Sequence, residues 1–305
     1  MRGHMTTLAA LIISTLTVDQ LSTVVLADTS GLESIEELSR PSESFRLEFT
    51  AAAWLPRLVG DITVGPAGTE FDVDNDLQLD SVEPTFTGEI KGTWNWIEAS
   101  ISGFAFSTSS TVTAPTAGRF GTINVNAGNR LDSSADMWSV AGTCSVAIYR
   151  PFADHRFPWS GSDPDPANTR PGGGYRADLK LMLSGGFRYV HFRQQLTDLT
   201  LSRSDEFEHG WFAVNAGGGI QLDIWMKDQL PFIDRFSLDV NTMLGPAFGG
   251  DSSWIWQVDA GLRLHFTPNI SVYTGYKLLD VDLKADDSKF KGGLQGLVFG
   301  ATLEF

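Results

Sequence analysis

Apolar and polar residues alternate along most of the chain beyond residue 43, with the period of two that a β-strand imposes on its side chains. In the clearest run one face carries Trp254, Trp256, Val258, Ala260, Leu262, Leu264 and Phe266, and the other carries Gln257, Asp259, Arg263 and His265. Similar runs cover 45–53, 84–92, 95–106, 137–149, 176–192, 211–225, 235–246, 270–282 and 294–305. The pattern predicts an all-β protein with about ten strands.

These strands are long, and one face of each is almost entirely apolar. About ten residues of a tilted strand cross the apolar layer of a membrane, so the thirteen residues of the run 254–266 suffice. A soluble β-sandwich also has alternating strands but rarely needs such long ones. We therefore predict a transmembrane antiparallel up-and-down β-barrel of ten strands, with eight or twelve as alternatives.

The connections support an even number of strands. Thr267-Pro268-Asn269 and Gly92-Thr93 are predicted to be tight periplasmic turns. The longer polar segments then become extracellular loops, at 55–83, 107–134 and 194–209. Segment 150–174, rich in Pro, Gly and Asp, would lie on the periplasmic side, where long loops are uncommon. Either this segment is an ordered periplasmic loop, or an additional pair of strands that the alternation does not reveal lies nearby.

The final run, QGLVFGATLEF at 295–305, has an apolar face that ends on Phe305. It resembles the terminal strand of bacterial outer-membrane β-barrels, and this resemblance implies that the barrel-assembly machinery recognises Phe305. The runs 184–192, 244–266, 271–283 and 296–305, together with Trp54-Leu55-Pro56, resemble a broad family of bacterial outer-membrane β-barrel domain proteins. The chain departs from that family at Lys277, where arginine is usual. The resemblance implies a barrel in the cell outer membrane and no common activity.

The N-terminal residues predict an export signal. Arg2 precedes an apolar stretch at 6–18, and Val25-Leu26-Ala27 has the small residues of a cleavage site. The alternative is a buried N-terminal helix of a cytosolic protein. We predict a signal peptide at 1–27, a periplasmic lead-in at 28–43 and a barrel domain at 44–305.

Composition narrows the functional classes. The formal net charge of −15 argues against nucleic acid as a partner, because phosphates need a basic surface. The single cysteine, Cys144, allows no intramolecular disulfide. The 20 Phe and 9 Trp residues suit the aromatic girdles of a membrane barrel.

One acidic segment has the spacing of a calcium-binding loop. Its carboxylates are Asp72, Asp74, Asp76, Asp80 and Glu83, at EF-hand positions 1, 3, 5, 9 and 12. Leu77 occupies the position of the glycine that this loop requires. The segment is therefore interpreted as a solvated acidic loop, with a weak Ca²⁺ or Mg²⁺ site, shared with lipopolysaccharide phosphates, as the alternative. No other metal or cofactor motif is found.

A second set of charges is predicted to face the barrel lumen. It comprises Asp178, Lys180, Arg188, Asp223, Asp239, Asp259, Arg263 and Lys277. Charges inside a narrow barrel need water or a partner. They are interpreted as a salt-bridged filling, and the alternative is a narrow polar pore for solutes.

A hydrolase is a more remote alternative. His191 and His209 flank a segment with Ser202, Ser204, Asp205, Glu206 and Glu208. Ten strands is also the size of the omptin proteases, but their paired carboxylates and Asp-His pair are not found in this chain. The sequence favours a non-enzymatic outer-membrane protein with a structural or surface-interaction role, whose acidic loops meet cations or lipopolysaccharide.

Overall fold

The computed structural model describes residues 45–152, 156–158, 174–225, 230 and 232–305. Its regular structure is entirely β. The strands are β1 Arg46–Thr63, β2 Glu70–Asp72, β3 Thr85–Trp94, β4 Ile97–Thr113, β5 Gly118–Phe120, β6 Ile123–Val125, β7 Arg130–Tyr149, β8 Arg156–Pro158, β9 Gly174–Asp198, β10 Arg203–Trp225, β11 Arg235–Phe248, β12 Ser253–His265, β13 Ile270–Ala285 and β14 Ser288–Glu304. Within the described residues, no helix is long and apolar enough to span a membrane.

Ten of these strands form a closed antiparallel barrel. Their order is β1, β3, β4, β7, β9, β10, β11, β12, β13 and β14, and β14 pairs with β1 to close the ring. Each strand pairs with its neighbour along the chain, which confirms the predicted ten-stranded up-and-down topology. The short strands lie outside this ring: β2 extends the β1 ladder, β8 pairs with the start of β9, and β5 and β6 form a separate hairpin.

The outer wall of the barrel is apolar. Outward-facing Phe187, Leu297 and Phe299 are about half exposed, whereas Val298 on the inner face of the same strand is fully buried. Exposed aromatic residues lie at both ends of the wall: Trp94, Trp96 and Phe266 at the periplasmic end, and Trp138 and Trp254 at the other. A closed ladder leaves no backbone edge unpaired in lipid. The protein is therefore an integral β-barrel of the outer membrane, as the sequence predicted.

Several strands run further toward the extracellular end than the alternation predicted. Residues 194–209 are not a loop, because β9 and β10 remain paired up to Arg203 opposite Asp198 and only 199–202 connect them. In the other two predicted loops, residues 55–63, 107–113 and 130–134 belong to the barrel strands as well. The outward side chains at these ends are polar because they stand above the apolar layer. The apolar face disappears there although the backbone ladder continues.

One of the two predicted periplasmic turns is confirmed. Thr267-Pro268-Asn269 connects β12 and β13, but Gly92 and Thr93 lie inside β3. The turn after β3 is at Asn95, whose positive φ of 55° suits asparagine. Most of segment 150–174, the signal peptide and the periplasmic lead-in lie outside the described residues.

Candidate functional site

The extracellular half of the lumen is filled by apolar side chains, which we call the apolar plug. Its members are at most 3% exposed: Trp54, Leu58, Ile62, Phe71, Leu77, Phe120, Leu131, Phe192, Leu196, Phe290 and Leu294. Phe192 on β9 stacks on Phe290 of β14 with 4.3 Å between ring centroids. These two strands lie five places apart in the ring of ten, on opposite walls of the barrel. The stacked rings therefore bridge the full width of the lumen.

Two extracellular segments, 64–84 and 114–129, cover the plug. They contact each other through the rings of Phe71 and Phe120 and through a hydrogen bond from Gly121 N to Val64 O of 2.9 Å. The second segment also contacts β10, because Asp205 Oδ2 accepts hydrogen bonds from the backbone N and the Oγ1 of Thr122, at 2.6 and 2.7 Å. The two covering segments are therefore held in place by contacts with each other and with β10 of the barrel wall.

Below the plug, the lumen is charged. Glu48 on β1 accepts from Lys91 at 3.1 Å and from Arg263 at 2.8 Å, and Arg263 reaches it from β12. Closer to the periplasmic end, Glu304 pairs with Arg46 at 2.6 Å and Arg235 at 3.2 Å. Each carboxylate therefore joins strands that are not neighbours in the barrel.

Of the eight charges that parity assigned to the lumen, five line one internal cavity and two more are buried: Arg188, Asp239, Asp259, Arg263 and Lys277, and Asp178 and Asp223. The structure pairs Lys277 with Asp259 at 3.7 Å and Lys180 with Asp223 at 3.8 Å. Asp178 pairs with Arg150 at 2.6 Å, and Arg263 pairs with Glu48 at 2.8 Å. Among the described residues, Arg188 has no carboxylate within ion-pairing distance, and Asp239 has no cation within that distance.

Sequence reasoning left Lys91, Arg235 and Glu304 out of this network. Lys91 has the parity of inward Glu89, and Glu304 has that of Thr302, so the same alternation could have identified both. Arg235 has the parity of inward Asp239 on the same strand, so the alternation could have identified it too.

The carboxylates of the acidic segment accept hydrogen bonds from backbone groups of the same segment. Asp72 Oδ1 accepts hydrogen bonds from the backbone N of Asp74 and Asn75, both at 2.8 Å, and Asp72 N donates to Asp76 Oδ2 at 2.9 Å. The hydrogen bond from Asn75 N chiefly lowers the pKa of Asp72. Burial chiefly raises the pKa of Asp74, and the carboxylates of Asp72 and Asp80 add to it.

No metal ligand set is assembled there in the described residues. Within that part of the chain, no group of three or more His, Cys, Asp or Glu side chains is placed to hold a metal ion. Asp80 is exposed, and Glu83 accepts a hydrogen bond from Ser81 at 3.0 Å. The divalent-cation site stays a prediction.

The two candidate histidines have separate surroundings. His191 faces outward, with its Nε2 3.1 Å from Glu208 Oε1 and its ring stacked on Trp138. His209 packs on Trp211, and its Nε2 hydrogen-bonds to the Gly249 carbonyl.

The remaining residues of that segment are also apart from the histidines. Ser202 and Ser204 are exposed, and in the described residues neither hydroxyl contacts an imidazole. Glu206 pairs with Arg193 at 2.8 Å, and Asp205 is engaged by Thr122. The histidines are therefore not joined to a serine as a nucleophile and its base.

Phe305 lies on the outer surface, beside Phe49 at 6.0 Å between ring centroids. Its backbone N donates to Leu47 O and its carbonyl accepts from Leu47 N, at 2.9 and 3.0 Å. Its role as an assembly signal stays a prediction.

No family model and no curated protein matches the chain. Among solved structures it is similar to Ail, the attachment invasion locus protein of Yersinia pestis, at 12% identity and a TM-score of 0.33, covering 85% of this chain and 98% of that one. It is also similar to the outer membrane protease OmpT from Escherichia coli, at 9% identity and a TM-score of 0.33, covering 87% and 98%. A third similar structure is the translocator domain of the autotransporter NalP from Neisseria meningitidis. The sequence identity is 12% and the TM-score is 0.29, and the match covers 84% of this chain and 88% of that one. This likeness concerns the fold alone.

Proposed function

We propose that this outer-membrane barrel is a non-enzymatic, non-conducting protein with a structural or surface-interaction role. The observation that carries the proposal is the stack of Phe192 on Phe290 across the lumen. Leu58, Leu196 and Leu294 surround it and are fully buried, which leaves no room for a file of water at that depth. The support for the alternative, a narrow solute pore, is limited to the polar half below the plug.

Planar-bilayer recording tests this proposal. The refolded wild-type protein should give no steady conductance steps. A variant with Phe192→Ala and Phe290→Ala, in which short turns also replace 64–84 and 114–129, should conduct. The matched control is Phe187→Ala with Phe299→Ala, which removes one ring from each of the same two strands on the lipid face and should stay silent. Reproducible steps from the wild type would overturn the proposal in favour of the pore.

The non-enzymatic part is supported by the separation of the histidines from Ser202 and Ser204. Purified protein should cleave neither lipid nor peptide substrates. If it did, and if His191→Ala or His209→Ala abolished the activity while Asp286→Asn did not, the hydrolase alternative would replace our proposal.

The interacting surface that we propose is the outward face of β7, β9 and β10 above the apolar layer. It presents Asp132, Asp136, Glu206 and Glu208 around Arg193. Carboxylates attract divalent cations, which also bind the phosphates of lipopolysaccharide. This face is therefore suited to lipopolysaccharide bridged by Mg²⁺ or Ca²⁺.

Retention of lipopolysaccharide during purification tests this surface. It should fall severalfold on adding EDTA, and also when these four carboxylates become amides. The control replaces Asp286 and Asp287, in the turn between β13 and β14, by asparagine and should retain the wild-type amount. Equal retention by all three proteins would contradict the assignment.

A further inference from the structure

Below the apolar plug, the lumen contains a cavity of about 180 Å³. Its charged lining is balanced, with the carboxylates Glu89, Glu98, Asp239 and Asp259 against the cations Lys91, Arg188, Arg263 and Lys277. A filling that served only to stabilise the barrel would pair these charges with each other, because unpaired charge is costly to bury.

The pairing is incomplete. Lys277 contacts Asp259, and Lys91 and Arg263 share Glu48. Among the described residues, this leaves Arg188 without a carboxylate at ion-pairing distance, and Asp259 acts on it only at longer range. It also leaves Glu89, Glu98 and Asp239 without a cation in direct contact. Lys91 and Arg263 act on Asp239 only at longer range.

Arg188 has spare donor capacity. It is 6% exposed, and its Nη1 and Nη2 donate to two neutral groups, Ser139 Oγ and Gln257 Oε1. Its Nε is buried without a partner. Within the described part of the chain, two of the five N–H donors of this guanidinium have an acceptor. A carboxylate is the group that this planar fork binds best.

Arg188 and Asp239 lie at different levels of the lumen. Gln257, which Arg188 contacts, precedes Gly261 by four residues on β12, and Gly261 lies opposite Asp239. Four residues of strand span about 13 Å. Glu98 and Asp239 both line the cavity.

We propose that this cavity binds a small zwitterion, with its carboxylate on Arg188 and its ammonium group on Asp239 and the neighbouring carboxylates. Such a molecule supplies both missing partners at once, and a chain of several methylene groups matches the span better than an α-amino acid does. The plug closes the extracellular side, so the ligand enters from the periplasmic end. This inference is independent of the surface role proposed above.

Calorimetric titration of the refolded barrel with chemically defined probes tests the proposal. The zwitterions are glycine, 4-aminobutyrate and 6-aminohexanoate, and the single-charge controls are butyrate and butylammonium. Saturable binding is expected for 4-aminobutyrate or 6-aminohexanoate, at least tenfold tighter than for glycine or either control. Absence of saturable binding for every zwitterion, or equal binding of butyrate, would overturn it.

Two variants locate the site. Arg188→Lys keeps the charge but loses the fork, and Asp239→Asn removes the ammonium partner; each should weaken binding at least tenfold. Asp286→Asn, in the exposed turn between β13 and β14, should bind as the wild type does. Asp239→Asn relieves repulsion between carboxylates, so it should fold even if Arg188→Lys does not. Unchanged affinity in Asp239→Asn would contradict the proposal.

Discussion

Two aspartates in the segment 64–84 have opposite electrostatic environments although they are only two positions apart. The pKa of Asp72 is lowered in the folded protein by the hydrogen bond from Asn75 N. Its carboxylate therefore stabilises the fold above the ordinary aspartate value of 3.8, and this contribution is lost as the pH falls through the lower folded pKa. Asp72→Asn should lower the melting temperature at pH 7, by the equivalent of about 1 kcal/mol.

Asp74 should behave in the opposite way. Burial raises its pKa, so its charged form is disfavoured in the folded state at pH 7. Asp74→Asn should raise the melting temperature at pH 7, and the gain should vanish below pH 3.8, where the carboxyl is protonated in both states. Thermal unfolding of both variants in detergent at pH 7 and pH 3 checks the pair. A shift of the same sign in both would show that the local turn, and not charge, dominates.

At the scale of elements, the β5–β6 hairpin depends on one side chain of the wall. Asp205 holds Thr122 by two hydrogen bonds, and its carboxylate lies directly beside Gly121. Asp205→Ala should release the hairpin while the barrel ladder stays intact. Protease treatment of intact cells should then cleave within 114–129 severalfold faster than in the wild type.

The control for this prediction is Glu206→Ala. It removes the adjacent carboxylate, which faces outward and pairs with Arg193. Its cleavage rate should equal that of the wild type. Faster cleavage in both variants would indicate a general loosening of β10.

At the scale of the whole molecule, Glu48 joins distant parts of the barrel wall. Glu48→Gln would leave Lys91 and Arg263 buried without their shared carboxylate, which we expect to cost about 3 kcal/mol or more. The folded band in a denaturing gel should convert to the unfolded one at a clearly lower temperature. Arg193→Ala, which breaks a half-exposed pair, should cost less than about 1 kcal/mol. Equal shifts would mean that burial adds nothing to the Glu48 pairs.

The ten strands and the direction of their faces could be predicted from sequence because they are local properties. In a membrane barrel, lipid requires an apolar side chain at every second position, so parity alone assigns Trp256 outward and Asp259 inward. The same parity gave the lumen charges. Parity did not predict where the strands end, because the apolar face stops at the edge of the lipid layer. In β9 and β10, the outward residues Arg193 and Glu206 are polar but still belong to the strand ladder.

Only the tertiary structure decided what fills the barrel. Phe192 and Phe290 are 98 positions apart along the chain, and Arg263 and Glu48 are 215 positions apart. The register of all ten strands decides which inward side chains meet across the lumen. No local sequence pattern specifies that register. The segment 64–84 shows the same limit, because its aspartates predicted a solvated acidic face but not where the opposite face packs: Leu77 and Leu79 are fully buried. Sequence by itself thus determined a barrel and its two faces, because lipid acts on each residue separately. The closure of the lumen and the unpaired charges beneath it were decided by contacts between strands that are distant along the chain.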